Sequence, residues 1–177
     1  VNVTTTGDLT TITTETGLDT VNISDTGAET SINTGADNDT VNVTTTGALT
    51  TIDTVGGEDG VNIFNTGGET NINTGSDDDT VNVTTTGDLT TITTETGLDT
   101  VNISDTGAET SINTGADNDT VNVTTTGALT TIDTEGGEDE VNIFNTGDET
   151  NVNTGSDNDV VNLTTTGALT TIGTEDG

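Results

Sequence analysis

Aspartate returns every twenty residues along this chain: Asp19, Asp39, Asp59, Asp79, Asp99, Asp119, Asp139 and Asp159. In every second interval another stands two places earlier, at Asp37, Asp77, Asp117 and Asp157. Carboxylates in this pattern admit three kinds of role. A pair can work as general acid and base, as in glycoside hydrolysis. An array of oxygens can hold metal ions. A single Asp can simply shape a turn and stay solvated. Acid–base chemistry needs one distinct cleft, whereas a repeat offers the same carboxylates many times over. No His, Cys, Lys or Tyr is present to act as nucleophile or tuned base. The sequence therefore predicts a protein that is not an enzyme. One Asp alone would be read as a turn residue; eight in register, without one basic side chain, point to a cation.

The charge balance sharpens that expectation. The chain carries 32 acidic side chains and no Lys, Arg or His. If residues one repeat apart stack at the strand spacing of ~4.8 Å, neighbouring carboxylates repel by about 3 kcal/mol at an effective dielectric near 20. The counter-charge must come from solution. Hard oxygen donors from Asp and turn carbonyls favour Ca²⁺ over Zn²⁺ or copper. The same charge excludes other partners. Nothing on the chain can neutralise phosphates, so nucleic acid is excluded. Anionic membrane surfaces repel it, and no apolar run is long enough for membrane insertion.

A strict repeat must position these residues. Written in rows of twenty, with Val1 at position 1, the sequence aligns without a gap until its last few residues. Residues 1–80 and 81–160 are super-repeats differing at six positions, and 161–177 is a partial ninth row. Both termini fall in mid-pattern, so the chain reads as an excerpt of a longer repetitive protein. Each row holds two strand signals: V-N-[VIL] at positions 1 to 3 and T-x-[IV]-x-T at positions 10 to 14. Both alternate with period two and are β-branched. T-G-x-x and a Gly/Asp-rich segment separate them as turns. The expected fold is all-β: a parallel β-solenoid, one coil of about 20 residues per repeat, two short strands per coil, continuous over 1–177. Val1, Val3, Ile12 and their equivalents point inward, flanked by Thr10 and Thr14, with an outward Asn column from Asn2 to Asn162. Only 25% of residues are hydrophobic. With this charge, that composition predicts disorder for the metal-free chain.

Here the residues meet a family. "TGADNDTVN", "TGSDDDTVN" and "VGGEDGVN" resemble the calcium-binding RTX (hemolysin-type) nonapeptide, G-G-x-G-x-D-x-U-x. The match sets Asp39 at the family's Asp, Val41 at its apolar residue and Gly35 in its second glycine slot. The resemblance implies Ca²⁺ held between adjacent coils of a β-roll by Asp and turn carbonyls. Thr34 replaces the first glycine, Asp37 often replaces the third, and the other half-row has Thr10, Thr30 and Thr50 where Asp is expected. One calcium edge is therefore expected, with Glu29, Glu69, Glu109 and Glu149 at most a partial second. The chain is also similar, more loosely, to acidic "DTVNV" repeats of large secreted bacterial or archaeal surface proteins.

The expected function is an extracellular structural segment, a calcium-stabilised rod in a filament or in the stalk of a giant surface protein. End-to-end self-association is expected from near-identical repeats. Phe64 and Phe144, the only aromatics, are candidate lateral contacts between rods. The alternative is a binding module, either an adhesin tract or an ice-binding face built on the recurrent Thr6, Thr10 and Thr14. Asp53 and Asp133 interrupt any flat Thr lattice on the outward face. Sequons at Asn2, Asn22, Asn42 and others are explained by the Asn column without sugar.

Overall fold

The computed structural model describes residues 1–167 and 169–175, and the side chains of Thr6 and its equivalents fall outside the described part. Alternation of β-branched and polar residues gives each coil one longer and one shorter strand. The first two coils hold β1 (Asn2–Thr6), β2 (Thr10–Thr13), β3 (Thr20–Thr26) and β4 (Thr30–Asn33). The pattern continues to β17 (Val160–Thr166) and β18 (Thr170–Gly173). The odd-numbered strands form one nine-stranded sheet and the even-numbered strands another. Every pairing is parallel at an offset of twenty residues: Val21 meets Val41, Asn22 meets Asn42, and Ile12 meets Ile32. This is the expected β-solenoid.

The core lies between the sheets and is one residue layer thick from each side. Val21, Ile23 and Ile32 and their equivalents are buried. Thr30 and Thr34, on the same face as Ile32, are buried beside it. In the outermost coils the cover is thinner, as at Val1 and Ile172, because only one neighbouring coil stacks against them. On the outside of the odd-strand sheet, the Asn column forms an amide ladder. Each Nδ2 donates to the Oδ1 one coil earlier, as from Asn42 to Asn22 at 2.8 Å and from Asn82 to Asn62 at 2.9 Å. Stacked identical amides satisfy each other along the axis, as in other cross-β assemblies.

A third ladder, one residue wide, runs along the acidic turn. It links Thr16 to Ala36, Ala36 to Gly56 and onward to Ser156. The turn around it uses left-handed backbone at positions 15 and 17 of each complete coil. Odd coils place Glu or Val at position 15 and Gly at position 17; even coils place Gly and then Asp. The alternation is steric. A Cβ at Gly35 would sit 1.6 Å from the Glu15 carbonyl oxygen, and one at Gly57 would sit 2.6 Å from that of Asp37. Each coil therefore supplies glycine where its predecessor's backbone presses closest.

Candidate metal centre

Parity decides where the Asp column points. Position 19 shares its face with the inward Val at positions 1 and 3 of the next row, so Asp39 falls in line with Val41 and Val43. Asp39, Asp59, Asp79, Asp99, Asp119 and Asp139 are accordingly buried, with 1 to 3% of their surface exposed, while Asp19 and Asp159 in the end turns are half-buried. They do not decorate the edge of the rod; they close one side of its core. Position 17 behaves differently. Asp37, Asp77, Asp117 and Asp157 lie on the exposed outer side of the turn, where Asp37 Oδ2 accepts the Gly17 amide at 3.0 Å.

Within the buried column each carboxylate is half satisfied. Oδ1 accepts the backbone N–H of the Asp one coil earlier, from Asp39 N–H to Asp59 at 2.7 Å and from Asp59 N–H to Asp79 at 2.8 Å. The same bond recurs from Asp19 N–H to Asp39 through to Asp139 N–H to Asp159. Oδ2 of Asp39, Asp59, Asp79, Asp99, Asp119, Asp139 and Asp159 is buried without a hydrogen-bond partner. The hydroxyl of the Thr five residues earlier lies alongside. In even coils that hydroxyl closes no aligned bond either, as at Thr74 and Thr114. In odd coils it donates along the axis instead, from Thr54 Oγ1 to the Thr74 carbonyl at 3.2 Å.

The electrostatics follow from this burial. Burial pushes the carboxyls of Asp79 and Asp119 up from the ordinary 3.8 to about 7, and that of Asp59 to about 6. Asp99 and Asp139 are raised for the same reason. The neighbouring Thr hydroxyl and the previous rung's Asp pull the other way, and nearby carboxylates add a smaller upward push. Mutual repulsion, the leading cost expected from the sequence, is thus secondary to removal from water. The outer acids are near enough to be felt: Asp77 raises Asp59, Asp117 raises Asp99 and Asp157 raises Asp139.

The donor chemistry suits a hard cation, because seven buried carboxylate oxygens close no aligned hydrogen bond and have only a neutral Thr hydroxyl nearby. No group of three acidic side chains converges among the described residues. Any cation at the column would therefore draw on few carboxylates and complete its shell with neutral oxygens. Glu69 and Glu149 on the opposite edge are exposed and accept from Asn71 and Asn151, two residues further along the chain, at 3.0 and 3.1 Å. Position 18 takes part as well, although the acidic repeat does not announce it. There Asn38, Asp78 and Asn118 accept the backbone N–H of the next coil's position 18 at 2.8 to 3.1 Å. The available signal was Asx at position 18 in even rows only, opposite Leu or Glu in odd rows.

Compared with family models, curated proteins and solved structures, the chain matches none of them.

Proposed function

We propose that this chain is a cation-stapled structural rod, a β-solenoid segment that folds around Ca²⁺ outside the cell and serves in a filament or in the stalk of a large surface protein. The observation that carries this reading is the column of seven buried, unpartnered Asp Oδ2 atoms. A buried carboxylate without a counter-charge strongly disfavours the folded state. This chain has no basic side chain to supply one. A divalent cation relieves that cost, so metal-binding free energy becomes folding free energy. The resemblance to RTX repeats and the hard-oxygen donor set favour Ca²⁺. Asp39 and its equivalents would hold it, with the outer Asp37 column adding attraction. Millimolar calcium outside the cell would switch folding on after export.

Far-ultraviolet circular dichroism with a calcium titration tests this. In chelator at neutral pH and low salt the β signal is weak. It rises cooperatively with micromolar to millimolar Ca²⁺, whereas NaCl at matched ionic strength gives only a small part of the gain. Full β structure in chelator, with a melting temperature that calcium leaves unchanged, would sink the reading.

A further inference from the structure

The outer face of the odd-strand sheet carries a feature that a cation-stapled rod does not require. Phe64 and Phe144 stand on it with 63% and 61% of their surface exposed. Each occupies the outward position 4, where the neighbouring coils carry only Thr: Thr44 and Thr84 around one ring, Thr124 and Thr164 around the other. The ring faces are therefore open. Beside each runs a shallow groove, about 220 Å³ at Phe64 and about 260 Å³ at Phe144, floored by three consecutive members of the Asn ladder. Each ladder amide spends one N–H and one lone pair on its axial neighbours. The second N–H and the second lone pair of Asn62 can face outward.

We propose that these two grooves bind an uncharged, extended polysaccharide, whose sugar rings stack on Phe64 and Phe144 while their hydroxyls exchange hydrogen bonds with the Asn and Thr columns. Three observations select that ligand. A sugar ring pairs an apolar C–H face with a rim of hydroxyls, matching an open aromatic face beside amides and hydroxyls. No charged residue lines either groove, and the chain's charge of −32 repels anionic polymers. The grooves repeat on one face four coils apart, roughly 19 Å at the strand spacing, so one straight polymer running along the rod can engage both. They are not equivalent. Asn142 gives its second N–H to Glu140 at 3.2 Å, and the first super-repeat has Gly60 at that place. The Phe64 groove is thus the less encumbered site.

With only two aromatic side chains in the chain, the aromatic region of a proton NMR spectrum taken in deuterated water, with the amide protons exchanged, reports these sites alone. The full chain is titrated at fixed calcium with cellohexaose and chitohexaose as neutral probes and with hexagalacturonate as the anionic one. The expected result is saturable shifts of both rings with a neutral probe, at least threefold tighter at Phe64, and little response to hexagalacturonate. The double variant Phe64→Ser/Phe144→Ser adopts the residue that the same column carries at Ser24 and Ser104, and it keeps its circular dichroism. It binds cellulose or chitin at least tenfold more weakly than the wild type. The proposal fails if neither neutral probe moves either ring, if the anionic probe moves them as strongly, or if the double variant binds both polymers unchanged. It fails too if the rings shift with protein concentration alone, because the rods would then be pairing through them.

Discussion

A carboxylate inside a thin β-sandwich can be relieved by a cation or by a proton, and Asp79 separates the two. Its Oδ1 accepts the Asp59 amide while Oδ2, beside the Thr74 hydroxyl, closes no aligned hydrogen bond. Asp79→Asn keeps an oxygen acceptor and removes the buried charge. In chelator at pH 8 this variant is more stable than the wild type by on the order of 2 kcal/mol, and added calcium stabilises it less. Asp79→Ala also deletes the acceptor, orphans the Asp59 amide, and costs about 1–3 kcal/mol in calcium. Circular dichroism in chelator, where Asp79→Asn holds more β signal than the weakly folded wild type, checks the first, and chemical denaturation in calcium checks the second. The pH dependence follows from the same atoms. Asp59, Asp79 and Asp119 have folded values of about 6 to 7 against an ordinary 3.8. The folded chain therefore holds protons that the unfolded chain has released in that window, and the free energy of unfolding falls as pH rises through it. In chelator the melting temperature is highest near pH 4 and declines up to about pH 7–8. Calcium flattens the decline by replacing the proton. A melting temperature that instead rises with pH in chelator would contradict the burial of this column.

At the scale of the element, the acidic turn is held by shape as much as by charge. Gly35 packs against the Glu15 carbonyl so closely that a methyl group cannot be accommodated. Gly35→Ala therefore costs more than ~2 kcal/mol. Val55 has the opposite problem, a β-branched residue at φ 73°. Replacing it with Gly relieves strain and raises stability by ~1 kcal/mol. Paired thermal melts of the two variants in calcium check the opposite signs. These turns also mark how far the fold was legible from sequence. The twenty-residue period and the parity of Val1, Val3 and Ile12 specify the coil, its two strands and its core, because β-branched alternation has few other solutions. Parity applied two residues further back also turns Asp39 inward, but Asp in a Gly- and Asx-rich turn reads as a solvated corner. The alternation of Gly between positions 15 and 17 was visible as well. Its cause was not, since it lies in the close approach of two backbones twenty residues apart.

At the scale of the whole molecule, each coil touches only its neighbours, so stability is a sum of coil terms and nearest-neighbour terms. The position of a lesion then matters as much as its chemistry. Gly35 and Gly75 play the same part, each against the carbonyl of the residue twenty before it, with Cβ approaches of 1.6 and 1.9 Å. Gly35 lies in the second coil and Gly75 in the fourth of nine. A break at Gly35 separates a short end segment that contributes little to the rest. A break at Gly75, against Val55 of the third coil, divides the rod into segments of three and six coils, each of which loses the support of the other. Gly75→Ala should thus broaden or split the melting transition in calcium, while Gly35→Ala leaves one transition nearly as sharp as the wild type's. Hydrogen exchange gives the corresponding map. In the wild type, protection is lowest around Val3 and Ile172, whose coils have one neighbour, and highest near Ile92 at mid-rod. In Gly75→Ala a second minimum opens around Ile52 and Ile72, which face each other across the broken contact. Identical, uniform loss of protection in both variants would mean that the rod melts as one indivisible unit, and the nearest-neighbour description would have to be abandoned.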